Sequence, residues 1–93
     1  RLPFRKPLLE HFEQAAALYR RVLASDPEHV AARNNLADVL REQGCLGAAL
    51  REARAALEAT PPEADFYARI VATVAEIEAT PSVDTEPGSC GDR

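Results

Sequence analysis

A pattern of thirteen residues occurs twice in this chain, 34 positions apart. The first copy covers residues 15–27 and the second covers residues 49–61; the repeated positions include the pairs Ala15/Ala49, Leu23/Leu57 and Pro27/Pro61. A period of this length is typical of stacked helical hairpins, because one hairpin cannot bury its own apolar face and packs it against the next. We therefore expect function to lie on a surface built by stacking, and not in a reactive cleft.

The residues between and within the two copies have helical spacing. Leucines recur at steps of three and four, which places them on one side of a helix, and small residues at intervening positions allow two helix backbones to approach closely. The leucines are Leu36, Leu40, Leu50 and Leu57, and the small residues are Ala32, Ala37, Ala49 and Ala56. With eighteen alanines and only 5% aromatic residues in the chain, we expect a core made of close helix contacts.

Breaks in this pattern predict where the helices begin and end. Gly44 lies where a first helix must reverse, while Asp26 and Thr60 each precede a proline and so resemble helix N-caps. Glu63 follows Thr60 by three residues, as in a capping box. We predict four helices, at residues 8–25, 27–43, 46–59 and 62–79, and no strand.

The repeating unit resembles the tetratricopeptide repeat, with one complete copy flanked by two partial ones over residues 8–80. The residues that carry the resemblance are Leu36, Ala37, Leu40, Gly44, Leu46, Ala49, Ala56, Leu57 and Pro61 in the complete copy, Phe12, Ala15, Tyr19, Val22 and Leu23 before it, and Tyr67, Ile70, Val71 and Val74 after it. The resemblance implies an all-α fold of antiparallel helix hairpins stacked as a short right-handed solenoid. Because fewer than three repeats seldom cover their own ends, we expect exposed apolar edges.

The chain divides into three segments by composition. Residues 1–7 are predicted to be irregular, residues 8–80 to form the helical domain, and residues 81–93 to be a flexible, disordered acidic tail. The tail contains Pro, Gly, Ser and acidic residues with a single large aliphatic, Val83, so it cannot bury enough apolar area to offset the entropy of ordering.

Charge and cysteine content limit the classes of partner and of cellular compartment that we expect for this chain. Residues 1–54 hold nine Lys/Arg against seven Asp/Glu, and residues 55–93 hold two against eight; this balance, without a basic stripe, argues against nucleic-acid binding. No stretch is long and apolar enough to insert into a membrane.

Cys45 and Cys90 do not form a disulfide framework by their spacing, so we expect free thiols and favour a reducing, cytoplasmic location, with an intermolecular disulfide through Cys90 as the alternative.

The residue types needed for catalysis or metal binding are not grouped in this sequence. His11 and His29 fall on different predicted helices, and neither has a Cys or acidic residue at a spacing that helix-surface charge does not equally explain. The segment Gly44–Gly47 lacks the lysine and the preceding strand of a phosphate loop. We predict no catalytic residue, no metal, no cofactor and no enzyme activity.

The resemblance also suggests a binding surface. In stacked helix pairs the first helix of each unit lines the concave surface, and the residues predicted there to bind a partner are Asn34, Asn35, Asp38, Arg41, Asp65 and Arg69. Asn35 and Arg69 occupy equivalent positions, 34 residues apart. In family members that clamp the terminal carboxylate of a peptide, an Asn and a cation at these places belong to the clamp, but Asp65 stands where a Lys would be expected.

Three functions of different class are compatible with the sequence. The first is an interaction module, a scaffold or adaptor that binds a partner peptide or protein. The second is a self-associating module that forms a homo-oligomer by end-to-end stacking, through the faces near Phe12 and Tyr19 or near Phe66, Ile70 and Ile77. The third is an auxiliary segment of a larger enzyme or envelope protein.

Overall fold

The computed structural model describes the backbone of residues 5–81 and of Cys90, and the side chains of residues 10–81 and of Cys90. This part of the chain contains four helices and no strand: α1 (Arg5–Ser25), α2 (Val30–Glu42), α3 (Leu46–Glu58) and α4 (Tyr67–Ala79). Consecutive helices pack against each other, and α4 also contacts α2. The predicted all-α fold of stacked helical hairpins is confirmed.

The core is built mainly from alanines between the helices. On α2 and α3, four of them are fully buried, each 0% exposed: Ala37, Ala49, Ala53 and Ala56. Leu36 and Leu40 of α2 and Ile70 of α4 are the largest apolar side chains that are almost completely buried. Because a methyl group occupies little space, the helix axes can lie close together, and the leucines fill the remaining volume.

The turn between α2 and α3 requires the glycine that the sequence places there. Gly44 has a φ of +85°, a left-handed conformation that costs a residue with a Cβ atom about 1 kcal/mol or more. Its N–H donates to the carbonyl oxygen of Arg41 (3.0 Å), and the next N–H, of Cys45, donates to Leu40 (2.9 Å). This pair of hydrogen bonds closes the helix end and reverses the chain.

Three helix starts differ from the prediction. Helix α2 begins at Val30, not at 27, because Nδ1 of His29 caps it by accepting from the N–H of Ala32 (3.0 Å). Helix α4 begins at Tyr67, not at 62: the Thr60 hydroxyl donates to the carbonyl of Ala56 (2.7 Å) instead of starting a new helix. Helix α1 begins at Arg5 and includes Pro7 in its first turn, where an N–H has no helical partner and proline is tolerated.

The expectation of free thiols was wrong. Cys45 and Cys90 form an intrachain disulfide that joins positions 45 residues apart, and both side chains are buried, at 0% and 3% exposed. Nη2 of Arg20, on α1, donates to the carbonyl oxygen of Cys90 (3.1 Å). Cys90 therefore packs against the helical core. The other residues of the predicted tail, 82–89 and 91–93, and residues 1–4 of the predicted N-terminal segment lie outside the described residues.

The described helices do not reach the length and apolar content that would let one of them cross a membrane. α1 is the longest, with 21 residues, and its sequence contains Arg5, Lys6, Glu10, Glu13, Arg20 and Arg21.

Candidate partner-binding surface

Helices α2 and α4 lie side by side, and their exposed residues form the surface that we call the α2–α4 surface. On this surface a charged contact joins the two helices. A guanidinium nitrogen of Arg41 on α2 lies 4.0 Å from a carboxylate oxygen of Glu76 on α4. Leu40 of α2 and Ile77 of α4 also belong to the same cluster of buried apolar residues. The surface is therefore a composite of two repeats, as the stacking arrangement predicts.

Arg41 is the centre of this surface. Its Nη2 atom donates to Asp38 at 2.9 Å and to Glu42 at 3.1 Å, and its side chain is only 23% exposed. The hydrogen bond with Asp38 raises the pKa of Arg41 above its ordinary value; the charges of Asp38, Glu42 and Glu76 add to this, while burial opposes it. Arg41 is thus held as a cation by three carboxylates, and the cluster as a whole carries excess negative charge.

The two asparagines of α2 differ in exposure. Asn34 is 3% exposed, and its Oδ1 atom is buried without a hydrogen-bond partner within the described residues. It therefore offers almost no surface to a partner in this arrangement. Asn35 is half-buried, and no side-chain hydrogen bond within the described residues engages it. Its amide is therefore available to bond a peptide backbone.

The two charged residues predicted near α4 are both exposed. Arg69 lies in the first turn of α4, whereas Asp65 lies in the turn that precedes this helix. Among the described residues, Arg69 forms no ion pair with Asp65 or with Glu63, and no hydrogen bond with the side chain of Asn35. The structure thus brings Asp38 and Arg41 into direct contact, at 2.9 Å. The side chains of Asn35, Asp65 and Arg69 form no hydrogen bond or ion pair within the described residues.

Glu76 is the residue of this surface that the sequence analysis missed. Its carboxylate is 61% exposed and faces Arg41 across the two helices. A signal for it existed, because Glu76 follows Glu42 by 34 residues and so occupies the same position in the next repeat. Equivalent acidic residues of neighbouring repeats thus flank one arginine.

The described residues contain no group of three or more His, Cys, Asp or Glu side chains arranged to hold a metal ion. The acidic side chains near Arg41 are engaged with its guanidinium group instead, at 2.9 to 4.0 Å. Binding of a charged or hydrogen-bonding segment is the chemistry that this surface can offer.

The sequence profile of the tetratricopeptide repeat family matches residues 9–64, which is more than half of the chain. No curated protein and no solved structure is similar enough to this chain to count as a match. The matched residues include α2 and α3, whose hairpin is the complete repeat, together with most of α1. The repeat period, the Gly44 turn, the alanine-lined helix contacts and the profile agree, and the chain belongs to the tetratricopeptide repeat family.

Proposed function

We propose that this chain is a protein–protein interaction module whose α2–α4 surface binds a segment of a partner protein. Tetratricopeptide repeats generally mediate interactions between proteins, and they generally act as non-catalytic scaffolds. The observation that carries the proposal for this chain is the contact between Arg41 and Glu76, which joins α2 and α4. On the two repeats that this contact joins, Asp38, Asp65 and Arg69 are exposed and Asn35 is half-buried.

The distribution of charge suggests what the partner segment presents. Arg41 is neutralised by its three acidic neighbours, so it contributes little attraction for an anion. Arg69 is exposed and unpaired within the described residues, so it is the better candidate to hold an acidic side chain or a terminal carboxylate. Asp38 and Glu76 would favour a basic group of the ligand at the other end of the surface.

Asn35 completes the proposed arrangement. A side-chain amide supplies both a donor and an acceptor, and can bond the backbone of an extended or helical segment independently of its sequence. Asp65 would disfavour a second negative charge beside Arg69. The proposed ligand therefore carries one acidic group near α4 and one basic group near the C-terminal half of α2.

A peptide array tests this proposal. Synthetic peptides that carry an acidic residue, a basic residue or both, with free or amidated C-termini, are titrated against the wild-type chain and the variants Asn35→Ala and Arg69→Ala. We expect each variant to bind the best peptide about 5- to 150-fold more weakly, the range for losing a hydrogen bond or a charge-assisted contact. Arg54→Ala is the control, because Arg54 pairs with Glu78 at 3.2 Å on a different, exposed part of the surface. Unchanged affinity in both variants would reject the proposed surface.

The disulfide supports a proposal about the compartment. Disulfides persist in oxidising environments and are rare where glutathione and thioredoxin keep thiols reduced. We propose that the chain acts where the Cys45–Cys90 bond is maintained, in place of the reducing location favoured from the sequence. Alkylation of the protein in freshly lysed cells of its source would test this, since two alkylated cysteines would contradict it.

A further inference from the structure

The two ends of the helical stack expose positions that the complete repeat buries. In the hairpin of α2 and α3, Ala37 and Ala56 are both 0% exposed. The residues 34 positions away at the two ends are Val71 on α4 and Val22 on α1, and these are 43% and 38% exposed. Both ends therefore leave large apolar side chains in solvent at positions that a neighbouring helix covers elsewhere in this chain.

The missing neighbours are complementary. In the repeat register, α3 is a second helix that packs on its first helix α2; α1 corresponds to α3, and α4 corresponds to α2. Within the described residues, α1 is a second helix with no first helix of its own repeat packed against it. In the same way, α4 is a first helix with no second helix of its own repeat packed against it. Each end thus presents the half of a hairpin that the other end lacks.

One contact of the complete hairpin shows how the two ends would meet. Nη1 of Arg33 on α2 donates to Glu52 on α3 at 2.9 Å, and this ion pair joins the two helices. Thirty-four positions away, the equivalent of Arg33 is Tyr67 on α4 and the equivalent of Glu52 is Leu18 on α1. At the two ends this ion pair is replaced by a half-buried aromatic residue, Tyr67, and by an apolar residue, Leu18, which is 58% exposed.

Charge favours contact between unlike ends. The sequence of α1, residues 5–25, holds four Lys/Arg and two Asp/Glu, for a net charge of +2, whereas α4, residues 67–79, holds one Arg and two Glu, for a net charge of −1. Opposite charges steer two surfaces together, and like charges oppose contact between two α1 helices or two α4 helices. Contact between α1 of one copy and α4 of another is therefore favoured over contact between two α1 ends or two α4 ends.

We propose that copies of this chain associate head to tail, with α1 of one copy docked on α4 of the next in the register of the α2–α3 hairpin. Leu18 then packs against Tyr67, at the position equivalent to the Arg33–Glu52 ion pair within one copy. Val22 and Val71 become buried in the contact. The contact is heterologous, so association continues into an open assembly or closes into a ring. The α2–α4 surface of the proposed function uses other residues, and either proposal can fail without the other.

Two variants that each block one end provide the test. Leu18→Glu places a carboxylate on α1, and Val71→Glu places one on α4; both residues are exposed in a single copy, so neither change should unfold it. By sedimentation velocity we expect the wild-type chain to form larger species as its concentration rises. Each variant alone should associate at least about tenfold more weakly, because docking would bury an unpaired charge.

Mixing the two variants identifies the geometry. The Leu18→Glu copy keeps an intact α4, and the Val71→Glu copy keeps an intact α1, so the mixture should form a one-to-one dimer that grows no further. Ala17→Glu is the matched control, because Ala17 is an exposed residue of α1 on a different side of the helix from Leu18, and it should associate like the wild type. A wild-type chain that stays monomeric at every concentration would overturn the proposal, and so would association that only one of the two variants abolishes, since that pattern belongs to like-end pairing.

Discussion

Replacing Cys90 by alanine should remove a large part of the stability of this small domain. The Cys45–Cys90 bond joins positions 45 residues apart, and the chain-entropy relation for a closed loop of about that length gives a stabilisation of about 4 kcal/mol. Domains of this size are commonly stable by little more than about 5 kcal/mol. We therefore expect Cys90→Ala to be close to the limit of folding at room temperature.

Urea denaturation followed by the helical circular dichroism signal measures this effect. The Cys90→Ala chain should unfold at a much lower urea concentration than the oxidised wild type, and the wild type in reductant should resemble the variant. Reductant should leave the Cys90→Ala curve unchanged, which controls for other effects of the reagent. Equal unfolding free energies for the oxidised wild type and the variant, within about 0.5 kcal/mol, would refute the reasoning, as would alkylation of two cysteines in the untreated wild type.

Three further substitutions test the packing and the turns, and urea denaturation measures each of them. Ala37→Leu should destabilise the chain by roughly 1 to 3 kcal/mol, because Ala37 is fully buried between helices; Glu58→Leu, at an exposed position of α3, should change stability by less than about 0.5 kcal/mol, and equal effects would mean that the buried helix faces are misassigned. Gly44→Ala should cost about 1 to 2 kcal/mol from backbone strain alone, since no atom lies within 4 Å of an added Cβ; a smaller effect than that of Glu58→Leu would contradict the left-handed turn. His29→Ala should cost about 0.5 to 2 kcal/mol through loss of the α2 cap. An unfolding free energy of this variant equal to that of the wild type would show that the cap contributes nothing.

Much of the fold could be predicted because its determinants are local. The alternation of small and large apolar residues at helical spacing identified the buried face of α2, including Leu36, Ala37 and Leu40. Gly44 marked its turn because few other residues adopt a positive φ. The bounds of α3 were predicted to within one residue. The helix starts near prolines were less predictable, because Asp26 and Thr60 can hydrogen-bond backbone groups in turns as well as cap helices.

Some features of the candidate surface could likewise be predicted from the sequence, and others could not. The repeat period placed Arg41, Asp38 and Asn35 on the first helix of the complete unit, and α2 carries all three. Nothing local to the sequence indicated that Arg41 would also face Glu76 on α4, or that Asn34 would be buried while Asn35 is accessible. These facts depend on the angle at which two helices pack, which is set by all the side chains between them.

The sequence alone determined the repeat, the family, the helical class and the packed face of α2, since each follows from the spacing of residues along one helix or from a 34-residue comparison. On α4 it was wrong, because Ile70 and Ile77, expected near an open end face, are both buried. Only the tertiary structure decided that Cys90 lies in the core beside Cys45, because a disulfide needs two sulfur atoms to meet in space and their separation along the chain does not reveal this. It also decided that Val22 and Val71 stay exposed while Ala56 and Ala37, at the same repeat positions, are buried. Burial depends on whether a neighbouring helix is present, and a residue's own sequence neighbourhood does not contain that information.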